Sequence, residues 1–164
     1  MSILVAYGSK RGGTEGLANM VAESLRQDGF AVDVLAARQV RSVENYEAVV
    51  VGGALYAMRW HRDARWLVKR YAGQLRGRPT YLFSSGPLDA SAIERDIPPV
   101  HGVKRLIDKI GARGHATFGG RLAADAKGFP ASGMAKHYAS DWRDPDHVRT
   151  WVGRIAADLR TPVG

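Results

Sequence analysis

At 164 residues, 45% of them hydrophobic, the chain has the length of one ordinary domain and enough apolar material to close a core. It contains no cysteine, which excludes disulfides, thiolate chemistry, iron–sulfur clusters and cysteine-based zinc sites. A net charge of +8 and a pI near 10.1 point to acidic partners: nucleic acid, an anionic membrane surface, or small molecules bearing carboxylates or phosphates.

The first apolar run, Ile3–Tyr7, reads as a buried strand. The chain then bends through Gly8–Thr14 into a helix over Thr14–Asp28, with Leu17, Met20, Val21 and Leu25 on one face and Gly29 just past its end. Second and third strands fall at Ala31–Leu35 and Tyr46–Gly53. Ala64, Leu67, Val68 and Tyr71 mark the next helical stripe. Thr80–Ser84 is a fourth strand, Val103–Ile110 a helix and Ala116–Gly120 a fifth strand. The last helix opens at Asp144 as N-cap, with Pro145 at its first position, and turns Val148, Trp151, Val152, Ile155 and Leu159 inward.

Strands and helices alternate, and several strands are apolar on both faces. That pattern predicts an α/β fold: a five-stranded parallel sheet with helices on both faces. Gly86–Pro99 and Leu122–Arg143 are irregular, but no linker or repeat divides the chain, so residues 1–164 are expected to form a single domain. The longest apolar stretch, Ala48–Met58, is too short to span a bilayer. The N-terminus lacks the basic region and cleavage site of a signal peptide, so a cytoplasmic location is expected.

In an open parallel sheet, ligands sit beyond the carboxyl ends of the strands, where the winding reverses. Three loops leave strands there: Gly8–Thr14, Gly53–Arg59 and Ser84–Asp89. The first reads Ser9-x-x-Gly12-x-Thr14 and has neither the Gly-Lys-Ser/Thr of a Walker loop nor G-x-G-x-x-G spacing. Such a turn can wrap amide N–H groups around a phosphate, with the Ser9 and Thr14 hydroxyls as further donors and the helix N-terminus adding positive potential. The same residues also suit a plain helix entry, with Thr14 as N-cap and Lys10 and Arg11 solvated. The residues alone leave both readings open.

Ser9-x-x-Gly12-x-Thr14 after the first strand resembles the phosphate loop of the flavodoxin superfamily. "GALYAMRWHRDA" (Gly53–Ala64) and "LFSSGPLD" (Leu82–Asp89) resemble the flavin-ring loops of flavodoxin-domain proteins related to the menaquinone-dependent protoporphyrinogen IX dehydrogenase. "SDWRDPDHVRTWVGRIA" (Ser140–Ala156) is similar to that family's terminal helix. The resemblance implies a flavodoxin-like fold with FMN as cofactor. By it, Ser9, Lys10, Arg11, Gly12, Gly13 and Thr14 hold the phosphate. Leu55, Tyr56, Ala57, Met58, Arg59 and Trp60 line one edge and face of the isoalloxazine, and Ser84, Ser85, Gly86, Pro87 and Leu88 lie along its other side. An exposed aromatic stacks on a flat π-system, and backbone amides meet the pyrimidine edge without adding charge. Tyr56 and Trp60 also border an apolar strand and suit core packing, and Gly86-Pro87 marks a turn in any case.

What the family implies is an oxidoreductase in which a small-molecule donor passes hydride to flavin and an acceptor reoxidises it. A quinone and a porphyrinogen are the named candidates, with heme biosynthesis as the setting. The alternative is a non-catalytic electron carrier on the same fold. Many relatives carry glycine where Met58 stands, and a Cβ makes positive φ costly there. That argues against a backbone that flips toward a one-electron-reduced flavin and for two-electron chemistry. Charge agrees: Arg59–Tyr71 is basic, whereas electron-shuttling flavodoxins are typically acidic. One cation ~7 Å from the ring, at an effective dielectric of ~20, is worth roughly 2.4 kcal/mol, on the order of 50 mV for a two-electron couple. Taken singly, Arg62, Arg65, Lys69 and Arg70 also read as a solvated helix face.

Arg121–Asp144 is short and Ala/Gly-rich where the membrane-associated dehydrogenase carries a longer apolar, basic region, so peripheral contact with an anionic membrane rests on charge alone. Phe129 and Met134 in that segment suit either covering the flavin or packing. The five histidines lack ligand spacing, so no metal site is expected; His61, next to Trp60, is the one close to the ring loops. No nucleic-acid motif accompanies the charge. The first and third strands end without a carboxylate, which excludes a phospho-acceptor regulator.

Overall fold

Ile3, Leu4, Val5 and Ala6 are all fully buried, so the first strand, β1 (Ser2–Gly8), must be covered on both faces. The computed structural model describes residues 1–9, 13–86, 92, 96–122, 140–141 and 143–161. β1 lies inside a sheet, between β2 (Ala31–Ala36) and β3 (Ala48–Tyr56). Beyond β3 come β5 (Thr80–Ser85) and β6 (Gly114–Phe118), and all four pairings are parallel. The order β2-β1-β3-β5-β6 is the doubly wound arrangement of flavodoxin-like folds, with its reversal of winding between β1 and β3. The two-residue β4 (Arg59–Trp60) folds back antiparallel on the end of β3.

Alternate side chains of the strands feed two cores. On one face Ile3, Val5, Val50, Tyr81 and Phe83 pack under α1 (Gly13–Gln27) and the C-terminal helix (Pro145–Arg160). On the other, Leu4, Ala6, Val49, Val51 and Leu82 pack under α2 (Arg62–Arg70), α3 (Ala72–Arg76) and α4 (His101–Ile110). The C-terminal helix, α5, is set by Asp144, whose carboxylate accepts the Asp146 N–H at 3.0 Å, and by Pro145 in its first turn, as predicted. Each fully buried aliphatic side chain contributes about 1.5–3 kcal/mol.

The boundaries differ where pairing overrides composition. β3 continues three residues past its predicted end, because Ala54 pairs with Ser85 and Leu55 and Tyr56 pair with Trp60 and Arg59. β6 starts and ends two residues earlier than predicted, held by Tyr81↔Gly114 through Ser85↔Phe118. Tyr71, expected in one helical stripe, sits between α2 and α3, and its buried hydroxyl donates to the Val40 carbonyl at 3.0 Å. β7 (Arg121–Leu122) and β8 (Ser140–Asp141) pair antiparallel apart from the main sheet. Phe129 and Met134 lie outside the described residues. Among the described residues, no helix is long and apolar enough to cross a membrane.

Candidate functional site

The three loops singled out in the sequence leave the sheet from neighbouring rungs. Gly8 pairs with Gly53, and Gly53 with Ser84, so the ends of β1, β3 and β5 stand side by side at the reversal of winding. Gly8 is required by close approach. A Cβ there would come within 2.9 Å of the Ala64 amide nitrogen and 3.0 Å of His61 Nδ1. The glycine lets the first turn of α2 close against the strand end.

Thr14 is not the N-cap. α1 already begins at Gly13, and the buried Thr14 hydroxyl crosses to the buried Ser85 Oγ at 3.3 Å. Ser9, at the other end of the turn, is half-buried; Lys10, Arg11 and Gly12 lie outside the described residues. Ser84 meets His115 Nε2 at 3.2 Å. His115 is held down to about 4, chiefly by burial and against the opposing pull of the Asp96 carboxylate. Gly86 follows, its N–H donating to the Phe118 carbonyl at 3.2 Å, while Pro87 and Leu88 lie outside the described residues.

The middle loop is a hairpin. Leu55 pairs with Trp60 and Tyr56 with Arg59, leaving Ala57 and Met58 as a two-residue connection at φ +48° and +64°. A two-residue hairpin of this hand needs positive φ at both central positions, which Asn-Gly adopts readily and Ala-Met does not. The Cβ of Met58 disfavours this conformation, yet pairing of the flanking strands imposes it. The backbone argument against one-electron chemistry therefore falls. Met58 is 74% exposed and Tyr56 36%.

Trp60 goes the other way. It is only 2% exposed, its indole N–H donates to the Phe83 carbonyl at 3.2 Å, and it fills the space that a side chain at Gly53 would take. Its alternation with the exposed Arg59 across β4 turns it into the core. His61 caps α2, its Nδ1 accepting the Asp63 N–H at 3.1 Å, and its ring meets that of Tyr56 at 6.0 Å, edge to face. Its other nitrogen therefore carries the proton of the neutral ring.

Two contacts gave no sequence signal. The Arg143 guanidinium lies against Gly16 in the second turn of α1, and His115 reaches Ser84. Both join residues far apart in the chain, with no local periodicity to announce them.

The profile of the flavodoxin domain matches residues 4–147, and the chain belongs to that family. Over nearly its whole length it superimposes on a flavodoxin from the domain Archaea, with TM-score 0.65, 13% identity and coverage of 98% of this chain and 100% of that one. The solution structure of two-electron reduced Megasphaera elsdenii flavodoxin matches with TM-score 0.64 and 17% identity, covering 95% of this chain and 98% of that one. A curated relative, protoporphyrinogen IX dehydrogenase [quinone] of Escherichia coli strain K12, is 27% identical over 86 residues, 51% of this chain and 48% of that enzyme. The matched region thus spans about half the length of that enzyme.

FMN is the cofactor of this domain. The residues present fit it: hydroxyls at Thr14 and Ser85 where the strand ends meet, and an exposed aromatic at Tyr56 on the strand between.

Proposed function

We propose that the chain is an FMN-dependent oxidoreductase that moves electrons in pairs between a small-molecule donor and acceptor. The observation that carries this reading is the Thr14–Ser85 contact. It ties the start of α1 to the end of β5, with Tyr56 exposed on the strand between β1 and β5. Bound FMN supplies a ring that accepts hydride and releases one or two electrons. The protein's part is positional. Ser9, Gly13 and Thr14, with Lys10, Arg11 and Gly12, bind the phosphate. Tyr56 stacks on the ring, and the backbone from Leu55 to Arg59 and from Ser84 through Gly86 to Leu88 holds its edges. Trp60 supports the hairpin from below.

Two features support oxidation of a substrate over simple shuttling: the basic character of α2 beside the hairpin, and the likeness to protoporphyrinogen IX dehydrogenase, which makes a porphyrinogen donor and a quinone acceptor the first candidates. The carrier reading stays open because Ala57 and Met58 already hold positive φ. Acid release and identification of the flavin, followed by reductive titration, test both. A single two-electron step with FMN supports the oxidoreductase; two resolved one-electron steps favour the carrier; absence of FMN binding rejects both.

A further inference from the structure

Beside the hairpin, α2 and α4 enclose a cleft of about 730 Å³ whose walls carry Arg59, Arg65, Lys69, Arg105 and Lys109. Met58 and Leu106 add apolar surface, and no carboxylate lines it among the described residues. Arg65 and Lys69 are four apart on α2, and Arg105 and Lys109 four apart on α4, so each helix presents a stacked pair of like charges. Such pairs weaken a helix slightly and gain nothing in the absence of an anion.

The acids of these helices are engaged elsewhere. Asp63 takes Arg38 at 2.9 Å, and Asp108 takes Lys104 at 2.6 Å. Arg65 carries the second, independent sign. Its Nε is buried with no hydrogen-bond partner among the described residues, and the same side chain lines the cleft, so a small turn of the guanidinium toward a bound oxyanion would satisfy it. The volume falls within the roughly 300–1,000 Å³ typical of small-molecule sites, and two facing cation rows suit a ligand with more than one acidic group.

We propose that this cleft binds a small polyanion, a molecule with at least two carboxylate or phosphate groups, and seats it at the Met58–Arg59 edge of the hairpin. The binding stands on the cleft alone. That the polyanion is the redox substrate rests on the flavin reading above. A flavin substrate seated here carries its acidic groups on the cation rows and its body over Met58.

Calorimetric titration of the full chain with mellitate and with pyrophosphate tests the proposal and separates carboxylate from phosphate recognition. The expected result is saturable 1:1 binding of at least one probe. It should weaken tenfold or more in Arg65→Gln/Lys69→Gln and change less than about twofold in Arg149→Gln/Arg154→Gln, which removes the same charge from α5 on the opposite face. Circular dichroism checks that both variants fold. Equal weakening in the two variants, or no saturable binding of either probe, overturns the proposal. The titration needs no flavin: polyanion binding by a chain that takes up no FMN keeps the cleft and removes the flavin reading. FMN uptake without polyanion binding removes the cleft and keeps the flavin.

Discussion

Thr14 and Ser85, 71 positions apart, meet through their hydroxyls at 3.3 Å in a spot where neither side chain is more than 6% exposed. The contact ties the first turn of α1 to the last residue of β5. Thr14→Val keeps the shape and deletes the hydroxyl, leaving Ser85 without this donor. The expected cost is about 1 kcal/mol of stability. FMN affinity should fall roughly 10- to 150-fold, since a charge-assisted hydrogen bond is worth roughly 1.5–3 kcal/mol. Thr14→Ser should keep most of both. Flavin fluorescence titration decides it, and wild-type affinity in the valine variant would remove Thr14 from the phosphate site.

Tyr56 is exposed at the end of β3 with its ring edge to face with that of His61. Replacing it with leucine removes the aromatic face; replacing it with phenylalanine removes only the hydroxyl. Aromatic pairing is worth about 0.5–1.5 kcal/mol beyond buried area, so FMN should bind roughly 2- to 12-fold more weakly to the leucine variant. The phenylalanine variant should match wild type. Equal affinities for all three proteins would show that the ring lies elsewhere.

The hairpin stores backbone strain. Met58 stands at φ +64° with three-quarters of its surface in solvent, so little packing is lost if its side chain goes. Met58→Gly should stabilise the fold by about 1 kcal/mol, net of glycine's own entropy cost. For a domain of this size that is a Tm increase of about 2–4 °C by scanning calorimetry. A lower Tm would mean that the side chain makes a stabilising contact larger than the strain.

Stability should fall with acid in a defined window. His115 stays neutral in the fold down to about 4, whereas the unfolded chain protonates near 6.5. As pH drops through that interval the unfolded state takes up the proton first, so the stabilisation present above 6.5 is lost on the order of 2–3 kcal/mol by pH ~4.5. His147, also lowered chiefly by burial, adds to the slope. In His115→Asn, urea unfolding at neutral and acid pH should show a shallower decline with the His147 part remaining. An unchanged slope would place the acid sensitivity on other groups.

The elements were legible because their signals are local. Ile3–Ala6 and Val49–Val51 are apolar on both faces, and Asp144-Pro145 opens α5 by side-chain capping and fixed φ, which neighbouring residues decide among themselves. The three loops could be named for the same reason: each follows a strand that announces its own end. What composition did not supply was direction. Trp60 and Tyr56 both border the apolar strand, yet one is buried and the other exposed, and only the pairing of β4 with β3 separates them.

The order of residues thus determined by itself an alternating α/β chain, a parallel sheet and a glycine-rich turn at its switch point. The tertiary structure alone decided that Thr14 faces Ser85, that Met58 is forced to positive φ, and that cations on α2 and α4 share one cleft. Hydrophobic periodicity and capping act between residues a few positions apart. Register, hydroxyl pairing and charge convergence depend on which distant strands and helices come to lie side by side.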